Sequence, residues 1–319
     1  VRELAFDRWC LSRSNVINLP KNRDLLARFA CLFAGAIWGL FWIPLRAIAD
    51  AGIHELWAPL VWFGVPTCCL IPVIIWRWRQ VVAGGLSLQI TAMMAGLALT
   101  LYTFAFIYTE VVRAMLLFYL TPVWSTVLAR LVLGDAITGL RILAMTLAMT
   151  GMLIIFGLGM NFPIPKNIGD WLGLASGMVW AVAAVKLRQS DKYAAIDLTC
   201  GFFGWSMLVA ILACLILAPN AAPNAAAIQS VLYWMLPIIV VLVLPGAFAS
   251  LWGPKFLNPG LVGLLFMTEI IFGSISAALF SGEPFGTREI SGILLIASAS
   301  LLEPISDFLK AQRAAGNVS

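Results

Sequence analysis

GAIWGLFWIPLR (35–46) and GMVWAVAAVKLR (177–188) are two copies of one stretch, and they decide how the rest of the chain is read. At an offset of 142 residues, Gly35 pairs with Gly177, Trp38 with Trp180, Leu45 with Leu187 and Arg46 with Arg188. A second match lies further along, at an offset of 148 residues. There LTPVWSTVLARLVLGD (120–135) overlies TEIIFGSISAALFSGE (268–283), pairing Gly134 with Gly282 and Asp135 with Glu283. The offset changes by six, so an insertion or deletion of that size separates the two matches.

The text around these matches is written for lipid. Of 319 residues, 62% are hydrophobic and 11% are charged. Soluble proteins run at about 45–50% apolar and about 25% charged, so water is the wrong solvent for this surface. A helix needs about 20 apolar residues to cross about 30 Å of hydrocarbon. On that measure the sequence predicts ten spans, near 27–49, 54–76, 86–108, 111–133, 138–158, 170–188, 196–218, 230–252, 259–281 and 286–304. The runs are too long for barrel strands of about 9–11 residues, and strand alternation is missing. One repeat then spans five helices. An odd number turns the second copy upside down, so the expected fold is an all-α integral membrane protein with ten transmembrane helices in two inverted-topology repeats.

Lysine and arginine set the orientation. With a cytoplasmic N-terminus, 16 of the 20 fall inside, and Arg46, Arg113, Lys166 and Arg288 fall outside. Both termini are expected in the cytoplasm. The expected organisation is an N-terminal tail over 1–24, a first repeat over 25–160, a second over 169–305 and a C-terminal tail over 306–319. The two prolines of NFPIPKNIGD (161–170) suit a link between halves, and PNAAPNAAAIQ (219–229) suits an uncharged loop. The first 24 residues hold no uninterrupted apolar run of signal-peptide type.

Other classes are disfavoured. No long basic run suggests nucleic acid. Cys10, Cys31, Cys68, Cys69, Cys200 and Cys214 lack C-x-x-C spacing, and the single histidine, His54, falls in a loop, so no metal site is expected. A lipid-modifying membrane enzyme would need converging nucleophile, base or metal groups, which the spans do not offer. No G-x-x-x-x-G-K-[ST] phosphate loop is present.

GAIWGLFWIPLR in the first span, the text from Phe118 to Asp135 in the fourth and GDWLGLASGMVWA (169–181) in the sixth resemble the EamA-type repeats of the drug/metabolite transporter superfamily. The resemblance covers about residues 27 to 304. It departs at Ile270, where the family often has proline, and at Asp135, where glutamate is usual. Length and richness in Trp and Phe are most similar to the branch of aromatic amino acid exporters of the YddG type. The resemblance implies export of aromatic and neutral amino acids without ATP and without a cofactor, in a bacterial inner membrane. Multidrug, cationic-dye or nucleotide-sugar transport in the same superfamily is the alternative. Monomer and homodimer both stay open.

Inverted repeats place one central site where the halves meet. Glu269, in mid-span, is the sharpest candidate. A carboxylate at the bilayer centre costs roughly 2.5 kcal/mol or more, so it should face a cavity or a partner. It would hold a substrate ammonium, take up a coupling proton, or hydrogen-bond between helices. Trp38 and Trp180, repeat partners away from the interface where Trp prefers to sit, suggest aromatic cavity walls or symmetric packing. Tyr102, Tyr119 and Thr121 carry hydroxyls that must face inward, to bind cargo or to make structural hydrogen bonds. Trp42 and Trp205 are weaker candidates of the same kind. Pro44, Pro66, Pro72, Pro122, Pro237 and Pro245 fall inside spans and can bend them.

Overall fold

A computed structural model describes residues 19–109, 111–156, 165–190, 192–281 and 285–316. The pairs Gly134–Gly282 and Asp135–Glu283 include two residues outside that set, as do most of the N-terminal tail and of the link between halves. Among the described residues fifteen α-helices follow one another: α1 (Leu19–Gly39), α2 (Trp42–Asp50), α3 (Ala58–Trp76), α4 (Trp78–Ala83), α5 (Gly85–Tyr108), α6 (Val111–Phe118), α7 (Thr121–Leu128), α8 (Gly139–Phe156), α9 (Ile168–Arg188), α10 (Ala195–Leu217), α11 (Ala225–Ile238), α12 (Leu244–Trp252), α13 (Pro259–Phe266), α14 (Thr268–Ser281) and α15 (Thr287–Gly316). Among the described residues there is no strand. Nine helical stretches there are long and apolar enough to cross a membrane, and the apolar stretch Gly139–Ile155 is shorter. The molecule is an all-α integral membrane protein.

Helix boundaries follow local chemistry. His54 accepts the backbone N–H of Trp57 and of Ala58 on its carbonyl, forming a turn that delays the second span to Ala58. Asn224 takes the N–H of Ala227 on its side chain at 2.8 Å, so α11 begins inside the stretch that composition marks as loop. Asn167 caps α9 in the same way, through Asp170.

Three of the spans break near their middles. The first breaks at Leu40 and Phe41, where the bonds tighten to Phe41 N–H on the Trp38 carbonyl and Ile43 N–H on Leu40. Pro44 has no N–H to return to the Leu40 carbonyl, and its ring crowds that oxygen. The fourth breaks at Tyr119 and Leu120. Pro122 cannot serve the Phe118 carbonyl, and the Thr121 hydroxyl does so instead, at 2.5 Å. The stretch Pro259–Phe280 breaks at Met267 without a proline at the break, where Thr268 donates to the Leu265 carbonyl at 2.9 Å. Pro66 and Pro72, by contrast, sit inside an unbroken α3.

Packing puts α9 against α5, α6 and α7, and α1 against α12, α13 and α14. Helices α8 and α15 pair separately around a second, smaller core that includes Met152, Ile270 and Ile296. Buried ion pairs sit at helix ends. Arg77 grips Asp197 with two bonds of 2.5 and 2.8 Å, and this carboxylate raises the guanidinium pKa further. Arg141 grips Glu303 at 2.5 and 2.6 Å and also donates to Asn258. At the opposite end of the bundle Asp170 accepts Arg113, the Thr109 hydroxyl at 2.6 Å and the Lys166 N–H at 2.9 Å.

Candidate functional site

The three helix breaks converge on one place. Trp38 and Trp42 flank the break in the first span, Tyr119 and Thr121 sit at that in the fourth, and Glu269 follows that between α13 and α14. Gly39 lets α1 approach the α14 backbone closely: a Cβ there would stand 2.5 Å from the Glu269 carbonyl oxygen. Glu269 is thereby held in the first turn of α14, where the partial positive charge of the helix N-terminus favours a carboxylate.

Glu269 is 8% exposed. Tyr102 donates to its Oε1 at 3.2 Å from α5. Tyr119 is turned toward the same carboxylate from behind, but its hydroxyl makes no hydrogen bond. Among the described residues no Lys or Arg forms a salt bridge with it.

Two connected spaces share Trp38, Phe41, Tyr102 and Glu269 as walls. The inner one is a chamber of about 50 Å³ with Trp180, Phe202 and Phe266 on its far side. The outer one is a vestibule of about 550 Å³ that reaches Arg46, Ala49 and Glu55, all exposed, at the end of the bundle away from Leu19. Trp42 lines this vestibule. Indole hydrogen bonds fix the rings: Trp38 Nε1 donates to Ser250 at 2.8 Å, and Trp42 Nε1 to Ser276 at 3.0 Å. Tyr102 stacks on Phe118 with centroids 4.3 Å apart, and Trp180 leans on Phe266 at 5.7 Å. Trp180 Nε1 is buried without a partner.

The opposite end is packed shut. Arg188 donates to the Lys255 carbonyl at 3.0 Å, and Lys255 donates to the Tyr193 carbonyl. Thr268 reaches across to the Leu32 carbonyl at 3.1 Å.

Of the residues singled out by sequence, Trp38, Tyr102, Trp180 and Glu269 line the chamber together, and Trp42 joins them in the vestibule. Tyr119 lies behind Glu269. Thr121 ties α7 to α9 through the Gly177 carbonyl at 3.3 Å and lines neither space. Trp205 points elsewhere and donates to Gln89 at 3.0 Å. Sequence reasoning passed over Phe41, Phe202, Phe266 and Ser250. Phenylalanine in an apolar span carries no signal that separates cavity wall from lipid face, and Ser250 declares itself only through Trp38.

No protein-family model matches the chain, and no curated protein does. Solved structures do resemble it, 29 chains among them. One crystal structure aligns over 88% of this chain and 96% of its own, with a TM-score of 0.66 at 15% identity. At that identity the likeness concerns the fold alone: a helical arrangement of this kind exists in an experimentally determined protein.

Proposed function

We propose that this protein is a secondary transporter of the drug/metabolite type, in which two inverted five-helix repeats alternate access to the Glu269 chamber. The observation that carries the proposal is a buried carboxylate among aromatic rings, at the floor of a vestibule open at one end and packed shut at the other. Gly139–Phe156 serves as the fifth of ten spans, and both termini lie in the cytoplasm, which makes the present state outward-open.

Local packing supports the repeat. Gly35 and Gly177, partners at the 142-residue offset, both admit a threonine hydroxyl: a Cβ on Gly35 would stand 2.1 Å from Thr268 Oγ1, and one on Gly177 2.9 Å from Thr121 Oγ1. Both threonines open a helix just after a break. They lie 147 residues apart, one fewer than the best textual match, so the three-dimensional register differs by a residue from the one read in text.

The cargo class is small amphipathic metabolites bearing an amine, bound by the carboxylate and the rings. Aromatic and neutral amino acids are what the family resemblance implies. Flux of labelled phenylalanine, threonine and methionine into proteoliposomes, with and without a pH gradient, tests this. Saturable flux is expected, and a gradient dependence that Glu269→Gln abolishes assigns proton coupling to Glu269. Absence of flux for every amino acid and amine tried refutes the transport reading.

A further inference from the structure

The chamber has a one-sided charge. Among the described residues, Glu269 is the only ionisable acid or base lining it apart from the weakly acidic Tyr102 hydroxyl. Among the residues that line the vestibule, the basic one is Arg46, on α2. Gly39 packs on the Glu269 backbone, and Arg46 lies seven residues further along the chain, beyond the break at Leu40 and Phe41. Arg46 is exposed and lines the vestibule, not the chamber, so the carboxylate of an α-amino acid whose ammonium rests on Glu269 meets no cationic side chain on the chamber wall. With the ammonium on Glu269, its own carboxylate would sit beside the glutamate in a water-poor site, where like charges repel strongly.

Few hydrogen-bond donors remain on the chamber wall. The N–H groups of Trp38 and Trp42 are already committed to Ser250 and Ser276. Trp180 Nε1 is the uncommitted donor on the chamber wall. That single N–H can donate to a cargo hydroxyl, and one neutral donor does not supply the cationic partner that would balance a second carboxylate in the chamber. The rings of Trp38 and Trp180 present π faces that favour a cation as well as an aryl group.

We propose that the Glu269 chamber selects monocationic aryl-alkyl amines over the zwitterionic amino acids of the same shape. The ammonium rests on Glu269, the aryl group lies among Trp38, Phe202 and Phe266, and a hydroxyl on the cargo, where present, accepts from Trp180. This sharpens the transport reading, but it concerns binding and is tested separately from flux.

The test is isothermal titration calorimetry on the full chain in nanodiscs at neutral pH. The ligands are phenethylamine, phenylalaninol and phenylalanine, which differ in having nothing, a hydroxyl or a carboxylate on the same carbon. Both amines are expected to bind at least tenfold more tightly than phenylalanine. Glu269→Gln is expected to weaken the amines at least tenfold and to bring the ratio near one, with an unchanged gel-filtration profile. Should that variant misfold, the wild-type ratio still decides. Phenylalanine binding as tightly as the amines, no amine binding, or a preference that survives in folded Glu269→Gln overturns the proposal. Proteoliposome flux of the same ligands separates the two readings. Amine binding without flux keeps this assignment and sinks transport. Phenylalanine flux without amine preference does the reverse.

Discussion

Gly39→Ala probes the contact that places Glu269. The added methyl would stand 2.5 Å from the Glu269 carbonyl oxygen, 2.8 Å from Phe272 Cβ and 2.9 Å from Gly273 N. Ordinary contact begins near 3.5 Å, so α1 and α14 must separate by about 1 Å. Two of the three obstacles are backbone, which cannot rotate away. Overpacking of this kind costs about 1–3 kcal/mol, while the gain in helix propensity from glycine to alanine returns at most about 1 kcal/mol. With the full return subtracted, the net loss is about 0–2 kcal/mol. At roughly 2 °C per kcal/mol for a chain of this size, Tm should fall by up to about 4 °C. Gly64→Ala is the control. Nothing lies within 4 Å of its added methyl, inside α3, so Tm should hold or rise slightly. Thermal unfolding in one detergent, followed by thiol-reactive fluorescence, gives both values. Transport or binding should fall for Gly39→Ala only, because the shift moves Glu269 off Tyr102. Equal melting and equal activity for the two variants would refute the close α1–α14 contact.

Other expectations follow from the buried pairs and the rings. Arg141→Ala leaves Glu303 buried and unpaired and should cost about 3–5 kcal/mol, whereas Arg141→Met with Glu303→Leu should restore most of it; a double variant no better than the single one refutes the pairing. Trp38→Phe removes the indole bond to Ser250, worth about 1 kcal/mol, and should weaken cargo severalfold in the calorimeter. Trp205→Phe, which loses a bond to Gln89 away from both spaces, should leave affinity unchanged; the opposite ranking would put the site elsewhere. For orientation, Lys166→Cys and Lys192→Cys in a cysteine-free background should be labelled from opposite sides by an impermeant maleimide. Labelling of both from one side would overturn the inverted arrangement.

Much of the fold is written locally. Hydropathy sums over neighbours, so most of the span limits lie close to those drawn from text. Proline announces two of the three central breaks, at Pro44 and Pro122. The third, at Met267, has Ile270 where proline would warn of it, and only the Thr268 hydroxyl marks the place. Asn224 caps α11 within alanine- and proline-rich text that reads as a loop.

What the sequence by itself determined is the solvent, the long apolar runs that become helices, and the oddity of one carboxylate among them. Those are properties of segments, and burial in lipid acts on segments. Which rings meet around Glu269 was decided only by tertiary structure. Trp38, Trp180 and Trp205 look alike in text, yet two face the chamber and the third faces Gln89. The difference arises from helix rotation and from approaches such as that at Gly39, which depend on contacts more than 200 residues apart along the chain.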